Sequence, residues 1–177
     1  GRRAPRLNHR GLAYWTDGKG DERVVYITPG YQLIALDAKT GRMIPSFGTK
    51  GVVDLLDGLD QPRPKDGVLG STSPPMVVGN MAVVGTAMPS AAPTRENPAA
   101  HVRGYDVRKG KRVWIFHTIP QPGEFGYDTW EKDSAAYTGN AGVWTPMSAD
   151  EELGYVYLPV ETATNDTYGG HRPGHNL

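Results

Sequence analysis

Apolar and polar residues alternate along Val102–Phe116, VRGYDVRKGKRVWIF. A short apolar run ends in an acid, a polar turn carries Gly110, and a second run follows. In that second run Val113, Ile115 and His117 alternate with Trp114 and Phe116, the period of a strand. Asp106 can bond its own backbone across the turn, and Gly110 can supply a positive φ where the chain reverses. The stretch therefore predicts a β-hairpin. Leu33–Phe47, LIALDAKTGRMIPSF, repeats it without a gap: Asp37 matches Asp106, Gly41 matches Gly110, Arg42 matches Lys111, Ile44 matches Val113 and Phe47 matches Phe116.

The surrounding pattern extends the repeat. Arg23–Thr28 is strand-like, Pro29-Gly30 turns it, and Tyr31–Asp37 is the next strand, so Val24 to Phe47 predicts three short antiparallel strands. Ser46–Asp66, rich in Gly, Asp and Pro, reads as a connection. Gly70–Pro75 opens a second unit, with strands Met76–Gly79 and Met81–Thr86 around Gly79-Asn80. Met88–Ala100 has no periodicity, and Thr118–Asn140 is a long excursion. Phe125, Tyr127, Trp130 and Tyr137 favour a packed excursion over a disordered one. Gly142–Ser148 and Gly154–Pro159 begin a third unit, whose Asp-turn-Gly hairpin is expected beyond Leu177. Asp150–Leu153 is expected to make at most one helical turn.

Repeated units of four short strands predict an all-β chain, a partial β-propeller with blade-like units at about 12–50, 70–118 and 141–177, the last incomplete. Two units and part of a third cannot close a ring of even ~4 blades, so the chain reads as a fragment. Composition agrees: 23 Gly and 15 Pro in 177 residues suit many turns better than long helices. Lys+Arg 19 balances Asp+Glu 19, which argues against a nucleic-acid surface. The absence of Cys removes disulfides and thiolate metal sites. No apolar run approaches the ~18–20 residues of a membrane helix.

Ala35-Leu36-Asp37-x-x-x-Gly41 and its twin ending in Trp114 resemble the tryptophan-docking repeat of dehydrogenases that depend on pyrroloquinoline quinone (PQQ), an eight-bladed propeller family. Arg10–Trp15 (RGLAYW), Val143–Pro159 (VWTPMSADEELGYVYLP) and Tyr168–Arg172 (YGGHR) resemble segments of its alcohol and glucose dehydrogenases. The resemblance implies a PQQ site with Trp144 as the stacking face, a role an uncharged indole suits. It implies Arg10 as a guanidinium for carboxylate and quinone oxygens, and Thr72 as a hydroxyl on a carboxylate. Ser73 is an equally chemical candidate beside Thr72, and on a strand only one of the two can face inward. Trp15, Trp114 and Trp130 read as core. The family's vicinal disulfide would precede Arg10, where Asn8 and His9 stand instead.

The resemblance also implies Ca²⁺, a hard cation that takes oxygen ligands. The family's carboxylate ligand would align near Ser90, leaving Glu96 as a distant substitute, and its asparagine ligand aligns at Thr162. Thr162 and Asn165 are the candidate metal ligands, with Glu161 and Asp166 as oxygen-bearing neighbours; a turn rich in Asx and Thr also needs no metal to explain it. The implied chemistry is hydride abstraction from an alcohol, sugar or cyclic polyol, with electrons passing to ubiquinone or cytochrome c in the periplasm. The catalytic Asp is expected beyond Leu177, so the fragment alone is expected to be inactive. Thr118–Trp130 resembles an insertion that shapes the substrate mouth, with Glu124, Asp128 and Glu131 as polyol contacts or merely solvated acids. His171 and His175 lie four apart in a Gly/Pro loop, a spacing that defines no shared face. Two other readings stay open: a non-catalytic propeller used as a protein-binding scaffold, and a family member that has lost Ca²⁺.

Overall fold

A computed structural model of the chain describes residues 10–88 and 94–177. Asn8, His9 and Ser90 lie outside the described residues. The described chain is nearly all β. Strands β1 (Ala13–Thr16), β2 (Glu22–Ile27), β3 (Gln32–Asp37) and β4 (Val52–Asp54) form one antiparallel sheet in sequence order. Strands β5 (Met76–Val78), β6 (Met81–Val84), β7 (Val102–Asp106) and β8 (Arg112–Phe116) form a second, again in sequence order. Strands β9 (Ser148–Asp150) and β10 (Tyr155–Tyr157) pair in a third.

The repeated hairpin turns share one chemistry. Asp37 Oδ1 accepts from the backbone N–H of Lys39 at 3.1 Å and of Thr40 at 2.7 Å, and Gly41 closes the turn at φ +68°. Asp106 Oδ1 accepts from Arg108 at 2.9 Å and Lys109 at 2.7 Å, with Gly110 at φ +66°. A carboxylate that satisfies two turn N–H groups, followed by the one residue free of a Cβ penalty at positive φ, makes each reversal locally self-sufficient. Asp150 does the same between β9 and β10: it accepts from Leu153 at 2.9 Å, and Gly154 has φ +70°. The third unit thus carries an Asp-x-x-x-Gly turn within the chain, at its first reversal. Asp150–Leu153 is that turn and not a helical one.

Two expectations fail in the first unit for one reason. After Gly41 only Met43 bridges Leu36, and Ile44 bonds Ala35. Pro45 then lacks the N–H needed to continue the ladder. The fourth place beside β3 falls to β4, inside the segment read as a connection, with Gln32 opposite Asp54 and Ile34 opposite Val52. In the third unit the first arm starts later than Gly142, at Ser148. Among the described residues helix appears only in the excursion, as two 3₁₀ turns (Tyr127–Thr129 and Glu131–Asp133) and one α turn, α1 (Ser134–Tyr137).

The sheets pack face to face. Arg23, Val25 and Ile27 of β2 point inward, and with Trp15, Leu33 and Phe47 they meet Ala82, Val84, Tyr105 and Val107 of the second sheet. Val83 and Val102, from the second sheet's other face, pack on Val143, Met147 and Val156 of the third. The second sheet is therefore covered on both faces, which is why β7 is buried from Val102 to Tyr105. Gly104 makes room for Trp114, whose Cζ2 would lie 2.7 Å from any Cβ added there.

Polar bolts tie the sheets together. Trp15 Nε1 donates to Gly79 O at 3.0 Å and Arg23 Nη1 to Arg108 O at 2.7 Å. Deepest is a relay through fully buried side chains. Arg103 Nη2 donates to the Tyr31 hydroxyl at 3.0 Å, Tyr31 and Thr86 share a 2.5 Å hydrogen bond, and Thr86 donates to His101 O at 2.9 Å.

Candidate functional site

Three equivalent positions converge. Arg10 precedes β1, Thr72 and Ser73 precede β5, and Trp144 precedes β9; each lies just before the first strand of its sheet. Sheets that share one up-and-down order deliver these entrances to one place. Arg10 N donates to Thr72 O at 2.9 Å, and its Nη1 reaches the same oxygen at 3.4 Å. Thr72 Oγ1 and Ser73 Oγ both donate to Trp144 O, at 2.5 and 2.7 Å. The Arg10 guanidinium carbon lies 5.3 Å from the Trp144 ring centroid, a cation–π contact.

Thr72 and Ser73 were expected to face opposite ways. They share an acceptor because they lie in bends before β5, held out of the pleat by Pro74 and Pro75. Both are buried, whereas the Trp144 side keeps 39 % of its surface exposed. Trp15 and Trp130 are core residues, and Trp114 is half-buried against Gly104. The donor set is thus an open aromatic face, a guanidinium and two hydroxyls bonded to one carbonyl. Either hydroxyl can turn to a ligand while the other keeps Trp144 O paired, which suits a flat anion with several oxygen acceptors.

Thr162 and Asn165 do not join this cluster as free oxygens. Thr162 Oγ1 accepts from Arg172 Nη2 at 3.2 Å. Asn165 Oδ1 accepts from the backbone N–H of Thr167 at 3.3 Å and of Tyr168 at 2.9 Å. One oxygen faces a cation already, and the other is spent in an Asx turn. Among the described residues no group of three or more His, Cys, Asp or Glu is arranged to hold a metal ion. His171 Nε2 pairs with Thr164 O at 2.7 Å.

A neighbouring acid behaves differently. Residues 139–142 run beside 161–164: Glu161 N donates to Gly142 O at 2.9 Å, Thr164 N to Gly139 O at 2.9 Å, and Asn140 bridges Ala163. This register puts Glu161 and Asn140 on one face, half-buried and 2 % exposed respectively. Burial pushes the Glu161 carboxyl above the usual range and Asp166 adds to the rise, while the side chains of Asn140 and Trp144 favour its charged form. Glu161 Oε1 and Asn140 Oδ1 are both buried without a hydrogen-bond partner. The sequence singles out Glu161 only as a neighbour and misses Asn140, because burial here comes from pairing across some twenty residues and leaves no local mark.

The excursion packs as its aromatics suggest, apart from Phe125, which is 93 % exposed. Trp130 is buried with Ile119, Ala141 and Ala163, and its Nε1 donates to Leu177 O at 3.0 Å. Glu124 accepts from Gln121 N at 2.7 Å and pairs with His117 Nδ1 at 2.8 Å. His117 lies 3.5 Å from Asp60 and stacks edge-on against His101, with ring centroids 4.6 Å apart. Burial, with His117 and Arg103 next, depresses the His101 pKa to about 4.

Comparison with known proteins adds three findings. The family model described as "Glucose/ethanol/alcohol dehydrogenase, beta-propeller domain" of the PQQ type matches residues 1–177. The chain is 31 % identical over 169 residues to the glycerol dehydrogenase large subunit of Gluconobacter oxydans, covering 92 % of this chain and 22 % of that one. It is also 31 % identical over 151 residues to the quinoprotein glucose dehydrogenase of Escherichia coli, covering 85 % and 18 %. Among solved structures it resembles the quinohemoprotein alcohol dehydrogenase ADHIIG of Pseudomonas putida, with a TM-score of 0.63, 27 % identity and coverage of 88 % and 21 %. The chain spans about a fifth of the length of the relatives it matches. Its sheets are part of a β-propeller.

Proposed function

The chain belongs to the PQQ β-propeller family of glucose, ethanol and alcohol dehydrogenases, and we propose that Arg10, Thr72, Ser73 and Trp144 form part of the floor on which PQQ rests in such a dehydrogenase. The observation that carries this reading is convergence. Three successive sheet entrances bring a guanidinium, two hydroxyls and an open indole face to one point. PQQ is a planar tricarboxylate, and when bound it accepts a hydride from an alcohol carbon.

Each side chain has a task that follows from its chemistry. Trp144 offers a flat, uncharged face for stacking. Arg10 already lies over that face, and its five N–H donors let it exchange the ring for carboxylate or quinone oxygens at the ring's edge. Thr72 or Ser73 donates to a carboxylate while its neighbour keeps Trp144 O paired, so the Trp144 backbone stays fixed when the site fills. Gly85 supports the same point: any Cβ there would collide with Val143 O, so its absence lets the segment before Trp144 approach the second sheet.

The substrate class is an alcohol, sugar or cyclic polyol, in keeping with the glycerol and glucose dehydrogenases that the chain resembles. The electron acceptor is ubiquinone or cytochrome c, and the compartment is the periplasm. Ca²⁺ does not fit Thr162 and Asn165 as they stand, since an arginine and two backbone N–H groups hold their oxygens. The test is reconstitution of the protein that carries this chain with PQQ and Ca²⁺, followed by dye reduction with glycerol, glucose, quinate and ethanol. Turnover with one of them that falls in Trp144→Ala and Arg10→Ala supports the reading. A protein that takes up no PQQ refutes it in favour of a scaffold.

A further inference from the structure

We propose that His117 is a proton-operated clasp: with both ring nitrogens protonated it ties the root of the excursion to the connection after β4, and on losing a proton it releases the excursion's first turn. The observation behind this is an imidazole with a carboxylate at each nitrogen. Nδ1 lies 2.8 Å from Glu124 Oε1, and Nε2 lies 3.5 Å from Asp60 Oδ2. A carboxylate only accepts hydrogen bonds, and a neutral imidazole has a single N–H. Neutral His117 therefore turns a lone pair towards one of its two acids; the imidazolium answers both. Nε2 is already the looser side, buried and without a hydrogen bond at this distance.

The two acids belong to parts of the chain that are held very differently. Asp60 is gripped from its other side by Arg112 Nη1 at 3.1 Å, and its neighbour Gln61 clamps Ala99 through two hydrogen bonds of 2.9 Å. That anchor is fixed to the sheets. Glu124 instead belongs to the excursion's first turn: its Oε2 accepts from Gln121 N at 2.7 Å, and its own N–H returns to Gln121 O at 3.0 Å. The acid that meets His117 is thus the acid that closes the turn, and the next residue, Phe125, is 93 % exposed. Thr118 Oγ1, between clasp and turn, is buried without a partner, so the root has little else to hold it there.

The groups facing His117 set the direction of the switch. Glu124 from the excursion and Asp60 from the connection favour the imidazolium. His101, edge-on from the segment before β7, is kept neutral above about pH 5 because burial depresses its pKa to about 4. Arg112, on the same strand end, is engaged by Asp60, and Arg103 of β7 by Tyr31 and Asp57 O. The Gln121 N–H first, and His117 after it, hold the Glu124 carboxyl below the usual range, so this acid stays charged. The closed clasp carries one proton more than the open one; acid closes it and base opens it. Its part in catalysis rests on the quinone-floor reading above. The excursion leads the chain from β8 towards Trp144, so the hold at its root sets how firmly a substrate is enclosed beside that ring.

The test is hydrogen exchange of the protein that carries this chain, without PQQ, read by mass spectrometry on peptides covering 118–127 and corrected for the intrinsic rate at each pH. Histidine changes charge between about pH 5 and 8, and protection of this turn is expected to fall by about tenfold or more across that interval, as loss of a hydrogen bond to a charged group implies. His117→Gln keeps a donor and an acceptor but cannot titrate there, so its protection is low and flat with pH. Glu124→Gln, which leaves His117 in place, is flat as well. His175→Gln, an exposed histidine outside the clasp, keeps the parent's dependence. Flat protection in the parent, or a pH dependence that survives in Glu124→Gln or His117→Gln, overturns the proposal. The pH-dependent protection in a protein that takes up no PQQ refutes the quinone reading alone; PQQ uptake with flat protection refutes only the clasp.

Discussion

Tyr31→Phe removes one oxygen from the buried relay between the first two sheets and nothing else. Its hydroxyl accepts from Arg103 Nη2 at 3.0 Å and bonds Thr86 Oγ1 at 2.5 Å. Because the Thr86 hydrogen goes to His101 O, Tyr31 is the donor to Thr86. Phenylalanine keeps the ring, its packing and the backbone at φ +56°, so those contributions cancel. Arg103 is fully buried between the Tyr31 and Tyr105 rings, its Nε has no partner already, and its other hydrogen bond is a long one of 3.3 Å to Asp57 O. Among the described residues the Arg103 guanidinium makes hydrogen bonds to Tyr31 and Asp57 O, so the abandoned N–H is left without its acceptor. A hydrogen bond to a buried charge is worth about 1.5–3 kcal/mol and the neutral one to Thr86 about 1, giving about 3 kcal/mol in total. Urea unfolding at constant m-value reads this as a lower midpoint. In an Arg103→Met background the same change costs less by at least about 1 kcal/mol, since the charge it strands is gone. A loss below about 0.5 kcal/mol, or full additivity of the two changes, would refute the relay as a stabilising link.

Two further outcomes follow from the packing and the charges. Gly104→Ala drives a methyl into the Trp114 ring and costs about 1–3 kcal/mol in the same assay; an unchanged midpoint would show that Trp114 does not dock there. His101, faced by His117, Arg103, Asp60 and Glu124, titrates near 4 in the fold and near 6.5 unfolded, so the unfolded chain binds the extra proton between those values. Stability therefore rises by about 3 kcal/mol from pH 4 to 6.5 on this group's account, at 1.36 kcal/mol per pH unit. His101→Phe removes that share of the acid limb, and an acid limb identical to the parent's would contradict it.

What the sequence reveals and conceals divides along the range of the interactions. Asp37 and Asp106 are legible because each satisfies N–H groups two and three residues away, and Gly41 and Gly110 supply the φ that completes the turn. Strand β4 is hidden because three residues amid Gly and Asp become a strand only by pairing with β3, after Pro45 stops the closer arm. Thr72 and Ser73 escape the strand rule because two prolines hold them in bends. At the proposed quinone floor, Arg10 and Trp144 are visible only through the resemblance of RGLAYW and VWTPMSADEELGYVYLP to family segments; that each stands just before the first strand of its sheet is what the fold adds. Glu161 and Asn140 matter through burial alone. That burial comes from the pairing of 139–142 with 161–164, which no short window contains.

The most direct measurement is a titration of tryptophan emission with PQQ in the parent, Trp144→Phe and Arg10→Met. If the quinone stacks on Trp144, the parent shows saturable quenching. Trp144→Phe then loses the quenched component, and Arg10→Met needs about tenfold or more PQQ, a shift of about 1.4 kcal/mol. Quenching that persists unchanged in both variants would place the cofactor elsewhere and contradict the floor assembled from the three sheet entrances.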